Sequence, residues 1–271
     1  MSPKILVFDS GLGGLTVFAE IAKRRPDTTL VYVADDAGFP YGRWAAEDLT
    51  HHVVGVLGQM ISKIRPDAVV IACNTASTLV LPDLRRLHPD LPFVGTVPAI
   101  KPAAARSASK LIAVLATPGT VARDYTRALI DDFAADCEVT LVGSTRLASL
   151  AEAAMSGTAI DDQDIAAEIA PCFVKAGTRR TDCIVLACTH YPLLLEWFER
   201  LAPWPVMWID PASAIARRVD AVLVERGHTL DQGKAPVEAT ALFTSGQIPG
   251  SALRATLARY SVQTAVENVA P

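Results

Sequence analysis

Asp67-Ala-Val-Val-Ile-Ala-Cys73-Asn-Thr75 and Asp182-Cys-Ile-Val-Leu-Ala-Cys188-Thr-His190 follow one pattern 115 residues apart: an acid, four strand-forming residues, Ala, Cys and two polar residues. An apolar run this short, bounded by polar or turn residues, reads as a buried strand of a parallel sheet. Similar runs stand at 5–8, 30–33, 111–115, 139–142 and 206–209. Helix-length stretches separate them, such as 46–64 and 161–176, the latter opening on Asp161 and Asp162 where negative charge suits a helix N-terminus. Alternation of this kind specifies an α/β fold.

A second pair of segments, ILVFDSGLGG (5–14) and IAVLATPGT (112–120), sets Ser10 against Thr117 at a similar offset. The chain therefore reads as two pseudo-symmetric α/β lobes, each a mainly parallel sheet flanked by helices. Strand ends that face one another place a small-molecule site between the lobes. The Pro- and Ala-rich stretches 96–105 and 201–205 are the expected seams. They assign 1–97 plus 207–271 to a first lobe carrying Cys73, and 98–206 to a second carrying Cys188.

Composition narrows the partner. The 271 residues are 51% hydrophobic and 20% charged with a net charge of -4, which suits a globular chain and gives no electrostatic footprint for nucleic acid or anionic lipid. The apolar run before Asp9 is only four residues long (5–8), too short for a signal peptide, and no apolar stretch approaches a membrane span. The expected location is the cytoplasm, without a membrane partner. Five cysteines form an odd set without CxxC spacing, so reduced thiols are expected in place of disulfides or zinc, and no metal site is expected at the histidines either.

Moving a proton from one face of a carbon to the other requires a base on one face and an acid on the other. One Cys at each matched strand end supplies that symmetry, and a thiol pKa near 8.5 is readily tuned towards neutral pH. Taken singly, each thiol reads equally as a small core residue at a strand end. Cys137, Cys172 and Cys183 lack the matched context and are assigned to structure.

Around the two thiols, the turn Asp9-Ser10-Gly11-Leu12-Gly13-Gly14 offers backbone N–H groups to a carboxylate, or is simply a tight strand-to-helix connection capped by Ser10. As a dinucleotide fingerprint it is weak, because Thr16 stands where the third Gly belongs. Asn74, Thr75 and Ser77 after the first Cys, and Thr189 and His190 after the second, suit binding of amino and carboxylate groups or ordinary helix capping. Tyr41 and Gly42, in the loop Phe39-Pro40-Tyr41-Gly42, are candidate substrate contacts or turn formers.

Together FDSGLGGLTV, FPYG, ACNTAS, GTVPAIKPA and ACTHYPLL, in this order along nearly the whole chain, resemble the glutamate racemase family. The resemblance implies a cofactor-independent isomerase that interconverts L- and D-glutamate and supplies D-glutamate for bacterial peptidoglycan, with a homodimer as its assembly. It implies that Cys73 and Cys188 are the catalytic thiols, supported by Asp9 on the Cys73 side and by Glu152 and His190 on the Cys188 side. Substrate contacts carry over to Asp9, Ser10, Tyr41, Gly42, Asn74, Thr75, Thr189 and His190. Thr-His-Tyr-Pro after the second Cys resembles the glutamate rather than the aspartate branch. The non-enzymatic alternative is a two-lobed amino-acid-binding protein, which has no need of a thiol from each lobe.

Overall fold

Buried Val, Ile, Leu and Ala runs become strands and the segments between them become helices in the computed structural model, which describes residues 2–231, 239–260 and 262–264. The chain runs β1 (Lys4–Asp9), α1 (Leu15–Arg24), β2 (Thr29–Ala34), α2 (Ala46–Ile64), β3 (Ala68–Ile71), α3 (Asn74–Leu87), β4 (Phe93–Gly95) and α4 (Ile100–Arg106). It continues through β5 (Leu111–Ala116), α5 (Pro118–Val121), α6 (Asp124–Phe133), β6 (Glu138–Gly143), α7 (Leu147–Met155) and α8 (Asp162–Ile169). Then come β7 (Lys175–Ala176), β8 (Arg179–Arg180), β9 (Cys183–Ala187), α9 (Leu195–Leu201), β10 (Met207–Ile209), α10 (Ala212–Glu225), β11 (Ala239–Phe243), α11 (Ser251–Arg259) and β12 (Val262–Thr264).

Two wholly parallel sheets result, one of order β12-β11-β2-β1-β3-β4 and one of order β10-β9-β5-β6, with β7 and β8 forming a separate antiparallel hairpin. The internal repeat is visible in this order, since β2-β1-β3-β4 corresponds to β6-β5-β9-β10. Each sheet is covered by apolar side chains on both faces, as its uninterrupted hydrophobic strands require. Cys73 lies two residues beyond the end of β3 and Cys188 directly after β9, so both thiols sit at C-terminal strand ends, where parallel sheets bind ligands.

Three details differ from the sequence expectation. The helix expected over 161–176 ends at Ile169, because Pro171 follows and the chain then turns through the β7–β8 hairpin. The return to the first sheet, expected at 207, comes later: β10 pairs with β9 as the counterpart of β4, and the chain packs on the first sheet only from α10 onwards. Strand β11, which carries Thr240 at a half-buried position, was not anticipated; it extends the first sheet beside β2. Among the described residues no helix is long and apolar enough to cross a membrane.

Arg25, at the end of α1, fastens the returning α10 to the first lobe. Its guanidinium is wholly buried, donates to both oxygens of Asp27 at 2.8 and 2.9 Å and to Asp220 of α10 at 3.3 Å, and reaches the His228 carbonyl at 3.2 Å. Hydrogen bonding from Arg25 holds the Asp27 carboxyl below its usual range. Removing the cation strands a buried carboxylate. Arg25→Met is expected to lower stability by about 3 to 5 kcal/mol in chemical denaturation, and a loss below about 1 kcal/mol, the range of an exposed pair, would contradict this role.

Candidate active site

Cys73, Asn74 and Thr75 from the first half and Thr117, Cys188, Thr189 and His190 from the second line one cavity of about 120 Å³. At roughly 10–15 Å³ per water-sized position, that volume holds on the order of ten non-hydrogen atoms. It suits a small amino acid and is far too small for a dinucleotide. Ser10 and the loop residues Phe39 to Arg43 form a further part of the wall.

On the first side, Cys73 occupies the N-cap position of α3 and its Sγ lies 3.8 Å from the Ser10 hydroxyl. Burial pushes the Cys73 thiol well up, and the nearby Asp9 charge adds to this, while the Ala76 N–H acts in the opposite sense. The ligand-free resting form of Cys73 is therefore the thiol. Asp9, the last residue of β1, is fully buried; one oxygen accepts the Gly11 N–H at 3.1 Å and the other accepts the Thr189 hydroxyl at 3.0 Å. Its own pKa is raised by burial, which outweighs the opposing influence of His190. Asp9 thus bridges the two halves as well as flanking Cys73.

On the second side, His190 Nδ1 faces the Cys188 sulfur at 4.0 Å and Nε2 lies 2.7 Å from Glu152 Oε1. Burial opposes a charge on this ring, but the Cys188 contact, Glu152 and Asp9 together hold His190 well above the usual imidazole range. One ring nitrogen therefore faces the sulfur and the other the carboxylate. The same Glu152 oxygen accepts the Leu12 N–H at 2.6 Å. The glycine turn therefore does receive a carboxylate, but the protein's own.

That arrangement explains the glycines. A Cβ at Gly11 would lie 2.1 Å from Glu152 Oε1, and one at Gly13 would lie 2.5 Å from His190 Nδ1 and 2.6 Å from its backbone N. Ser10 does not cap α1, whose N-cap is Gly14 without a side-chain bond; His190 holds the N-cap position of the short 3-10 turn Tyr191–Leu194, also without a side-chain capping bond, and Asn74 lies inside α3 rather than at its cap. Asn74 is buried with neither amide atom partnered, a donor and an acceptor left for a ligand at the cavity wall. Ser77 turns away, donating to the Ile71 carbonyl.

The Thr75 and Thr117 hydroxyls meet at 3.1 Å across the two halves. Thr117 was not among the expected site residues, although the repeat that pairs it with Ser10 is a signal that finds it. Ser144 and Arg43 also line the cavity without a sequence signal of their own. Tyr41 and Gly42 lie where expected, with the Tyr41 hydroxyl turned away from the cavity onto Asp35. Cys172 and Cys183 are buried in strand and turn packing, where burial pushes both thiols up to about 12. Among the described residues no three metal-ligating side chains cluster.

Known proteins share this sequence and fold. A family model described as Asp/Glu/Hydantoin racemase matches residues 12–219. The glutamate racemase of Brucella ovis is 59% identical over 222 residues, covering 82% of this chain and 80% of that protein. Among solved structures, Escherichia coli glutamate racemase in complex with L-glutamate and the activator UDP-MurNAc-Ala is 36% identical with a TM-score of 0.87, covering 97% of each chain. A Bacillus anthracis glutamate racemase isoform is 25% identical with a TM-score of 0.78, covering 99% of each.

The His190 geometry has a measurable consequence. Because its folded-state pKa is raised, the charged ring contributes stability that is fully present below the unfolded value of about 6.5 and is lost as pH rises through the higher folded value. NMR titration of the ring is expected to give a midpoint above the ordinary imidazole range, lowered by Glu152→Gln. A midpoint at or below about 6.5 in the parent chain would contradict the assignment.

Proposed function

Because the chain belongs to the Asp/Glu/Hydantoin racemase family, we propose that it interconverts L- and D-glutamate without a cofactor, using Cys73 and Cys188 as acid/base thiols on opposite faces of the α-carbon. The observation that carries this reading is the convergence of two matched strand-end cysteines, one from each parallel sheet, on a single amino-acid-sized cavity. An amino-acid-binding protein has no use for that pair.

In the forward direction a Cys188 thiolate, facing the His190 imidazolium, removes the α-hydrogen of L-glutamate as a proton. The electron pair of the broken C–H bond is left on the α-carbon and spreads into the adjacent carboxylate. Cys73, resting as the thiol, delivers its proton to the opposite face, which yields D-glutamate, a Cys188 thiol and a Cys73 thiolate. With D-glutamate the roles reverse. His190 lies beside the Cys188 sulfur and stabilises its thiolate, Asp9 lies beside Cys73 and favours its thiol, and Glu152 holds the His190 ring in place.

Asn74 and Thr75, with the N–H groups that open α3, supply donors for a substrate carboxylate. Ser10, Thr189 and the Tyr41-Gly42 loop hold the remaining polar groups of the substrate. Glutamate is preferred over aspartate on the names of the relatives and on the motif after Cys188. A missing methylene alone accounts for only about 1 to 3 kcal/mol, so stronger discrimination requires misplaced polar contacts too. The activity suits a bacterial cytoplasmic protein that supplies D-glutamate for peptidoglycan. The homodimer rests on the family alone, and sedimentation equilibrium decides it.

Polarimetry on the purified protein without added cofactor is expected to show conversion of L-glutamate and poor conversion of L-aspartate. Folded Cys73→Ser and Cys188→Ser variants should each lose racemisation. Residual α-deuteration in heavy water, followed by NMR, should favour the enantiomer that faces the intact thiol: L-glutamate for Cys73→Ser and D-glutamate for Cys188→Ser. Wild-type racemisation by both variants would rule out the two-thiol mechanism; a clear but reversed preference would overturn only the assignment of faces.

A further inference from the structure

One wall of the cavity comes from the loop between β2 and α2, and that loop is held by a polar knot outside the cavity. Asp35, directly after β2, is fully buried and takes hydrogen bonds from three separate elements. The Tyr41 hydroxyl donates to its Oδ2, His52 of α2 approaches the same Oδ2 with Nε2 at 2.6 Å, and the Thr244 hydroxyl after β11 donates to Oδ1 at 2.6 Å. Burial and the adjacent Asp35 hold the Tyr41 phenol well above its ordinary range, so it stays a donor. A carboxylate only accepts, so Nε2 of His52 carries the proton in this contact.

The His52 imidazole also supports the far end of the loop. The Trp44 ring lies against it at 5 Å scale, with centroids 4.9 Å apart and a 30° tilt, and Trp44 Nε1 donates to the Gly38 carbonyl at 2.9 Å. Gly38 is where the knot closes: a Cβ there would lie 2.7 Å from Asp35 Oδ2, 2.9 Å from His52 Nε2 and 3.0 Å from the Tyr41 ring. Between these supports the loop sends Tyr41, Gly42 and Arg43 to the cavity and lays the Phe39 ring against His190 at 5.4 Å. The loop thus touches the acid/base machinery of the second half while being fastened only to the first.

We propose that His52 is a positioning residue for this substrate loop: reaching from α2, it fixes Asp35 and through it Tyr41, and backs Trp44, so that it sets how firmly the loop closes on a bound amino acid. The proposal deepens the racemase reading and rests on it for the identity of the substrate. Asp35 and Thr244 are anchored at strand ends and cannot move with the loop. Among the described residues, His52 is the side chain that engages both of the loop's ends, at Asp35–Tyr41 and at Trp44–Gly38. A loop that contacts substrate and transition state alike contributes uniform binding, so loosening it raises KM and leaves kcat nearly unchanged.

Two substitutions separate the hydrogen bond from the ring. His52→Phe keeps a ring against Trp44 and removes the donor to Asp35; His52→Gln keeps a donor and removes the ring. With folding checked by circular dichroism, His52→Phe is expected to raise KM for both glutamate enantiomers about tenfold with kcat within about twofold. Hydrogen–deuterium exchange of the amides at 38–44 should quicken in the same variant while the β1 and β3 amides stay protected. His52→Gln should return KM to within about threefold of the parent, as expected if the donor matters more than the ring. Gly38→Ala approaches the knot from the other side and should produce the same KM rise, which keeps the test open if His52→Phe does not fold.

Unchanged KM and unchanged loop exchange in folded His52→Phe would overturn the proposal, as would a fall in kcat at constant KM. If the parent chain does not racemise glutamate, the functional reading fails on its own, and the exchange data still decide whether His52 holds the loop.

Discussion

Everything at the cavity depends on one close approach, that of the backbone at Gly11 and Gly13 to His190 and Glu152. The two halves each build a parallel sheet unaided, but the site exists only where their strand ends meet. No side chain fits between the glycine turn and His190, so the second half can bring its imidazole and carboxylate against the first. Leu12 N–H fastens Glu152, Glu152 fastens His190, and Thr189 beside it donates to Asp9. The groups flanking the two thiols are consequently part of the contact that joins the halves.

The two thiols are equivalent in topology and different in electrostatics. Cys73 lies beside the buried Asp9, whose charge adds to burial in raising its thiol, whereas Cys188 faces the His190 ring. A proton transfer across a carbon needs one acid and one base at its start, and the unlike surroundings of the two sulfurs suit that requirement. Because the product leaves the sulfurs in the opposite state, the flanking groups must accommodate both charge patterns. Asp9 and His190 also influence each other electrostatically across the two halves.

The repeat around Cys73 and Cys188 made the two sheets and their strand-end thiols legible, because identical local patterns must form equivalent strands. The helix over 46–64 was equally plain, being long and strongly periodic. Long-range partners were less accessible. Nothing local to the glycine turn says that its N–H will meet Glu152, 140 residues away. Thr117 was half-visible: the alignment with Ser10 was available, but a Thr-Pro-Gly turn reads first as a helix cap, and Thr117 does accept the Thr120 N–H. The Asp35–His52 contact joins two elements whose separation in sequence carries no motif. Met207–Ile209 read correctly as a strand, but only the pairing of sheets shows that it closes the second sheet rather than reopening the first.

In the two-thiol mechanism each enantiomer meets a different proton donor. Circular dichroism of the racemisation in heavy water, begun from each pure enantiomer and followed together with the deuterium content of both, tests it most directly. Two thiols acting on opposite faces predict that early product carries deuterium while remaining substrate does not. The optical signal should then pass beyond zero before settling, because the deuterated product returns more slowly. Deuterium appearing in recovered substrate as fast as in product, with a monotonic approach to zero from both directions, would mean that a single group serves both faces and would contradict the account.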